Sequence, residues 1–409
     1  MWPADTPYTR PDAVPMKPAT HMTRWENGGG GLSEMREARP TIIIAANSFW
    51  NIANFRGGLI RALVREGYRT IIAAPDADDA WAQDKGAEAV TIAVNRSGLD
   101  PLSDARTLFG YWKLVRRTKP AVFVAFTVKP NIYGSIAARV NHVPALPNVS
   151  GLGTAFIRGG LLSRFVTILY RKALCSAEII FFQNPDDRDL FVERHIISAD
   201  QARLLPGSGV DLGRFAPADQ PPGAPVFLLV GRMLGDKGIR EFVEAAGALK
   251  AKHPDWRFQL LGPCDEGNRS SIGSGELARW AREDQVQYLG EADDVRPYIS
   301  KASAVVLPSY REGLPRSLLE GAAMARPLVA TDVPGNRHLV DHGINGLLCE
   351  ARSAAALAGA MERIGSMTAA RRAEMGAAAR ARVEWEFDEG LVVRAYLEAI
   401  RQLRQGAES

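Results

Sequence analysis

The amino-acid sequence predicts an α/β protein made of two Rossmann-like βαβ domains facing a cleft. Three observations point there. From Thr41 onward, short apolar runs rich in β-branched residues alternate with longer amphipathic stretches. This alternation occurs twice, on either side of a segment dense in Pro and Gly from Pro206 to Pro225. The chain has 409 residues, and at about 150 per domain that is enough for two or three independent cores.

The first series of strands is read from TIIIAA at 41–46, TIIAAP at 70–75, AVTIAV at 89–94 and AVFVAF at 121–126, followed by PALPNV at 144–149, EIIFF at 178–182 and ARLLP at 202–206. Their continuous apolar character suits parallel strands covered on both faces. Residues 52–66 and 102–118 space apolar side chains at three and four, as helices crossing back over a sheet do. The second series runs VFLLVG at 226–231, RFQLLG at 257–262, VQYLG at 286–290, AVVLP at 304–308 and PLVAT at 327–331. Stretches 353–365, 368–384 and 388–405 have helical spacing and are rich in Ala, Arg and Glu. The domains are therefore placed at 40–206 and 226–385, with a linker at 207–225. A final helix, 386–409, is expected to pack back on the first domain. Residues 1–39, with Gly28 to Gly31 and no apolar periodicity, are expected to be a disordered extension.

Composition excludes several classes. The net charge is +4 with 46% hydrophobic residues, which argues against disorder throughout, coiled coil and collagen. A pI near 9.0 is too small an excess to indicate nucleic acid, though it suits weak attraction to an anionic membrane surface. The three cysteines, Cys175, Cys264 and Cys349, are far apart and read as small packing residues in a reducing compartment. No apolar run reaches the ~18 residues of a spanning helix, and no basic-then-apolar signal segment opens the chain. A cytoplasmic location follows as the expectation.

In open α/β sheets ligands bind beyond the carboxyl ends of the strands. After the strand ending at Val230 comes Gly-Arg-Met-Leu-Gly-Asp-Lys-Gly, 231–238, which sets Arg232 and Lys237 between a strand end and a helix start. Two cations there suit a diphosphate, although a solvated, helix-capping turn would read the same way. After AVVLP, residues 309–320 put Glu312 in a loop, Pro315 at a first helical position and Glu320 on the helix. Glu312 could accept hydrogen bonds from sugar hydroxyls beside the helix N-terminus, or it could be a surface residue.

Strand-Gly-Arg-x4-Lys-Gly followed some 75 residues later by Glu-Gly-Leu-Pro-x4-Glu resembles the donor site of retaining glycosyltransferases of the GT-B type, specifically glycosyltransferase family 4. The resemblance covers nearly all of 41–385. It is supported by Gly207-Ser208-Gly209-Val210-Asp211, Ala330-Thr331-Asp332-Val333-Pro334-Gly335 and Gly343-Ile344-Asn345-Gly346-Leu347-Leu348. It implies that Arg232 and Lys237 neutralise the nucleotide diphosphate as it leaves. Glu312, with the backbone of Gly313 and Leu314, would hold the donor sugar, Glu320 the ribose hydroxyls, and Gly290-Glu291 would lie by the base. Such enzymes retain anomeric configuration by front-face substitution and need no metal and no cofactor.

In the first half, residues 47–56, 126–134, 148–153 and 182–187 resemble the branch acting on polyprenyl-diphosphate-linked sugars. Members typically move a hexose or N-acetylhexosamine from a UDP-sugar. Asn54, Arg56 and Lys129 are the acceptor-side candidates, Arg56 as a domain-surface or acceptor contact. Many relatives have a paired-glycine loop after the first strand, but counting back from Glu66-Gly67-Tyr68 puts Trp50 and Asn51 there, so Gly57-Gly58 falls inside a helix. Phe126-Thr127-Val128-Lys129 stands where many relatives place a histidine. His195 and His338 read as packing or surface residues, and Asp76-Ala77-Asp78 as a turn rather than a metal site. Segment 155–174, apolar with interspersed cations, reads first as a core-facing helix and, given a lipid acceptor, as a shallow membrane contact. Competing readings are a retaining glycosidase, a soluble-acceptor transferase and a noncatalytic sugar-nucleotide-binding subunit. Two hinged domains imply closure on donor binding.

Overall fold

The computed structural model describes residues 39–95, 100–151, 160–265, 268 and 270–408. The expected extension at 1–39 lies outside them except for Arg39. From Arg39 on, the chain forms one compact unit containing two parallel-sheet α/β domains.

The first sheet comprises β1 (Thr41–Ala45), β2 (Arg69–Ala74), β3 (Glu88–Thr91), β4 (Val122–Phe126), β5 (Ala145–Val149), β6 (Ile180–Phe182) and β7 (Ala202–Leu204), in the order β3-β2-β1-β4-β5-β6-β7. Ile43 pairs in parallel with Ile71 on one side and Phe123 on the other. Every residue of β1, β4 and β5 is buried, because helices cover both faces of a parallel sheet. The fully buried polar side chain of β5, Asn148, donates from Nδ2 to the Tyr396 hydroxyl at 2.5 Å.

The second sheet comprises β8 (Val226–Val230), β9 (Arg257–Leu261), β10 (Gln287–Tyr288), β11 (Ala304–Leu307), β12 (Leu328–Thr331) and β13 (Gly346–Cys349), in the order β10-β9-β8-β11-β12-β13. β13 has no counterpart among the strands read from sequence. It is a four-residue edge strand opening with Gly346, and Gly weakens the strand signal. In each sheet the winding reverses beside the first strand, between β1 and β4 and between β8 and β11. The loops leaving those strands diverge and open a crevice.

The expected single helix over 52–66 is two helices, Phe49–Phe55 and Gly57–Arg65. Arg56, at φ −127° and ψ 3°, breaks them. Two adjacent glycines are poor helix formers, and the Gly58 N–H faces the Glu389 carboxylate, an anion suited to a helix N-terminus. Gly57-Gly58 thus opens a helix rather than lying within one.

Helix Glu389–Glu408 lies on the first sheet. Val392, Tyr396, Ala399, Ile400 and Leu403 share a core cluster with Ile42, Ile44, Phe126 and Phe181, and the Tyr396 ring meets Phe181 edge-on at 4.9 Å. Each large aliphatic side chain buried this way contributes about 1.5–3 kcal/mol. Helix Gly160–Leu174 buries Val166, Tyr170, Ala173 and Leu174. It exposes Phe165 and Ile168 beside Arg164, Arg171 and Lys172; residues 155–159 of the same segment lie outside the described residues. Among the described residues no helix is long and apolar enough to cross a membrane. Cys349 is buried, but Cys175 is exposed rather than packed.

Candidate functional site

At the carboxyl end of β8, Met233 turns inward and is fully buried. Arg232 turns outward with 55% of its side chain exposed, and its Nη1 lies 2.8 Å from Asp265 Oδ2 on the loop after β9. A short 3-10 turn, Gly235–Lys237, ends at Gly238 with φ 73°. A Cβ at Gly238 would lie 2.1 Å from the Pro308 carbonyl oxygen, so glycine permits both the left-handed backbone and the close approach of the two loops. The Tyr310 N–H donates to the Asp236 carbonyl at 3.0 Å.

This contact brings Lys237 Nζ to 2.6 Å from Glu312 Oε1 across 75 residues of sequence, with the two side chains 25% and 12% exposed. The Glu312 loop is braced from behind. Its N–H donates to the Pro334 carbonyl at 3.2 Å, and buried Asn336 donates from Nδ2 to Thr331 O and Oγ1, each at 3.1 Å. An ammonium and a carboxylate therefore stand together at the switch point of the second sheet, where this topology places ligands.

The other donor-side candidates lie on the loops and the helix that follow β10 and β11 of the same sheet. Gly290 has φ 76°, and its carbonyl accepts from Gly262 N at 2.8 Å beyond the ends of β9 and β10; Glu291, next to it, is exposed. Leu314 is half-buried and packs on Gly207. Pro315 is the cap before helix Arg316–Ala323 rather than its first residue. Glu320 is held by Arg316, whose Nε donates to Glu320 Oε1 at 2.8 Å and whose Nη1 donates to the Gly209 carbonyl at 2.5 Å. Burial pushes the Glu320 carboxyl above its ordinary pKa against the opposing pull of Arg316.

The first sheet supplies the opposite wall. Asn54 Nδ2 donates to the Trp50 carbonyl at 2.9 Å. Arg56 is not on the domain surface: it is 3% exposed, its guanidinium lies 3.9 Å from the Phe126 ring centre, and burial lowers its pKa to about 10. Lys129 Nζ lies 2.6 Å from Asp104 Oδ1, with side chains only 12% and 9% exposed. Thr127, in the loop after β4, has φ 69°, and its Oγ1 accepts from the Asn47 N–H at 3.1 Å, tying that loop to the one after β1. Asp78 caps helix Asp79–Asp84, accepting from Trp81 N at 2.9 Å. Among the described residues no group of three or more His, Cys, Asp or Glu is arranged to hold a metal ion.

The residues that join the walls carried other readings in the sequence, 182–187 as a motif of the acceptor-side branch and His338 as a packing or surface residue, and none of them as a link between the domains. Asn184 Nδ2 donates to the Gly313 carbonyl at 2.8 Å, Arg311 pairs with fully buried Asp187, and His338 Nε2 lies 2.6 Å from Asp186 Oδ2. A Cβ on Gly313 would sit 2.0 Å from the Ser150 carbonyl oxygen, so only glycine lets the loop pass under the first domain. Asn184-Pro185 after a strand signals a helix cap, and Arg316 four residues before Glu320 signals an ion pair. No local pattern signals a bond across the cleft.

Comparison with known proteins agrees with this architecture. Residues 224–366 match the family described as glycosyl transferases group 1, and residues 52–207 match the glycosyl transferase 4-like domain. The chain is 26% identical over 372 residues, 85% of its length and 94% of the relative's, to the N,N'-diacetylbacillosaminyl-diphospho-undecaprenol alpha-1,3-N-acetylgalactosaminyltransferase of Campylobacter jejuni. It is 28% identical over 268 residues, 61% of its length and 67% of the relative's, to the UDP-Gal:alpha-D-GlcNAc-diphosphoundecaprenol alpha-1,3-galactosyltransferase of Escherichia coli. Among solved structures, sucrose-phosphate synthase of Thermosynechococcus elongatus superposes with a TM-score of 0.76 at 19% identity, covering 90% of this chain and 100% of that one. Anabaena HepE with UDP and glucose superposes with a TM-score of 0.72 at 17% identity, covering 88% and 99%. The matched segments take in most of both sheets together with the loops that carry Lys237 and Glu312, and the chain belongs to the group 1 glycosyl transferases, with the GT-B fold.

Proposed function

We propose that this glycosyltransferase moves a hexose or N-acetylhexosamine from a UDP-sugar to a polyprenyl-diphosphate-linked saccharide, with retention and without a metal ion. The observation that carries the reading is the Lys237–Glu312 contact of 2.6 Å at the switch point of the second sheet, on the loop that also carries Arg232. It sets a cation for the leaving diphosphate next to a carboxylate for the hydroxyls of the sugar being released. As the glycosidic bond breaks, negative charge grows on the diphosphate, and fixed cations in a partly buried site stabilise it without a divalent ion. Glu312 and the backbone N–H groups of Gly313 and Leu314 orient the sugar, Glu320 accepts from the ribose hydroxyls, and Gly290-Glu291 border the base. The acceptor hydroxyl attacks from the face the diphosphate leaves, and its proton passes to the leaving phosphate oxygen.

The acceptor assignment is supported by the C. jejuni and E. coli relatives, whose names specify undecaprenyl-diphosphate-linked sugars. Asn54 and Lys129 are the acceptor-side groups in this reading, Lys129 meeting a phosphate only by exchanging it for Asp104, while buried Arg56, stacked on Phe126, backs that wall rather than touching the acceptor. Exposed Phe165 and Ile168, amid Arg164, Arg171 and Lys172, support a shallow contact with an anionic bilayer as part of this reading, with the cytoplasmic face of the membrane as the proposed location.

The test is incubation of the protein with labelled UDP- and GDP-sugars and a lipid extract bearing polyprenyl-diphosphate saccharides. Label entering the organic phase from one UDP-sugar is the expected result. Label confined to a water-soluble acceptor would remove the lipid assignment, and donor binding without transfer would favour a noncatalytic role.

A further inference from the structure

We propose that Asn184 and Asp187 of the first domain are positioning residues for Glu312, holding the residues on either side of it so that domain closure and correct placement of that carboxylate are one event. The inference rests on the donor-site reading above. Glu312 sits in a short loop, and the two neighbours that fix its direction are both gripped from across the cleft. Arg311, on its N-terminal side, pairs with Asp187, whose side chain is fully buried. Gly313, on its C-terminal side, accepts from Asn184 Nδ2 at 2.8 Å and passes so close to Ser150 that a Cβ would lie 2.0 Å from its carbonyl oxygen.

The chemistry of Asn184 shows why an amide stands there. Its Oδ1 accepts from Asp187 N at 2.8 Å and caps helix Pro185–Glu193. An aspartate or serine would cap as well, but neither carries an amide Nδ2 to reach the Gly313 carbonyl. The same Nδ2 lies 3.1 Å from Asp187 Oδ2, so the cap, the buried carboxylate and the catalytic loop form one hydrogen-bonded unit. Such a unit is rigid when complete, and small displacements of an aligned group are costly to turnover.

The experiment uses the full chain with the UDP-sugar identified above, and compares Asn184→Ser, Asn184→Asp, Asp187→Ala, Arg311→Ala, the double variant Asp187→Ala/Arg311→Ala, and Asp186→Asn as a control. Asn184→Ser keeps a helix cap, and Asn184→Asp keeps its size if the serine variant unfolds. Expected are losses in kcat of about 10- to 100-fold with donor KM changed by less than about threefold. UDP affinity by calorimetry should not change, because UDP lacks the sugar that Glu312 holds. The double variant should be no worse than the worse single one, since both residues act through one contact. Asp186→Asn, which loosens the His338 contact at the same interface but not the loop, should stay within about twofold of wild type in kcat. The proposal is overturned by near-wild-type kcat in both Asn184 variants, by multiplicative losses in the double variant, or by an Asp186→Asn loss equal to that of Asp187→Ala. Absence of transfer by the wild type itself would overturn the donor-site reading instead.

Discussion

The two walls of the cleft each place a lysine just beyond a strand that flanks a switch point, and they use it differently. Lys237 follows β8 in a turn pressed against the loop after β11, where it meets Glu312 and remains 25% exposed. Lys129 follows β4, is 12% exposed, and is matched by Asp104 from the helix Pro101–Thr118. The same contrast holds for the arginines: Arg232 stands out with 55% of its side chain exposed, whereas Arg56 is buried on an aromatic ring. The difference teaches that a cation at a strand end is a ligand-binding group only when the packing leaves it a face to offer. In the second domain, the turn and the loop pressed together through Gly238 still leave a quarter of the Lys237 side chain open to solvent. In the first, a crossing helix supplies a counter-charge and closes it.

That contrast can be broken most directly at Lys237. We expect Lys237→Ala to lower kcat by about 10²- to 10³-fold with little change in the urea midpoint, measured by transfer assay and denaturation on one preparation. Near-wild-type turnover would remove the donor site from this crevice. The mirrored change, Lys129→Ala, strands the buried Asp104 charge and should cost about 3 kcal/mol of stability and raise the acceptor KM, with donor KM unchanged. A donor defect without loss of stability would erase the distinction between the walls. Arg232→Ala is expected to have a smaller effect, about a tenfold rise in donor KM at nearly unchanged kcat, because its exposed guanidinium is, in the proposed donor site, one of two cations on the diphosphate; a kcat loss as large as that of Lys237→Ala would make the two equal partners.

The smallest effect sharpens the account of Glu320. Burial raises its carboxyl pKa above the ordinary 4.5, so its contribution to stability is complete below that value and is lost as pH rises through the raised folded pKa. Glu320→Gln should therefore gain on wild type between pH 4 and pH 7, read as the difference in urea midpoints. A difference that moves the other way would mean that the Arg316 pair outweighs burial.

Much of this was legible before any coordinates. β1, β4 and β11 carry continuous apolar runs because both their faces are covered, so local composition suffices to find them. β13 is four residues with a leading glycine, and it acquires strand geometry from pairing with β12. The break at Arg56 follows from Glu389, which lies more than three hundred residues away in the chain and whose carboxylate faces the Gly58 N–H. Among the site residues, Arg232, Lys237, Glu312 and Glu320 could be named because each sits at a recognisable offset from a strand end. Asn184 and Asp187 were legible only as part of the 182–187 motif of the resemblance, with nothing local to say that they reach the Glu312 loop.

Residue order thus specified the two wound sheets, their switch points and the charged groups at the strand ends, because these follow from periodicity and from neighbours within a few positions. Folding in three dimensions settled which charges stay available, which are matched inside the core, and how the Glu312 loop is gripped from the opposite domain. Those outcomes depend on approach distances between distant segments, such as Lys237 to Glu312 at 2.6 Å and Asn184 to Gly313 at 2.8 Å. Packing sets such distances, and no stretch of sequence encodes them locally.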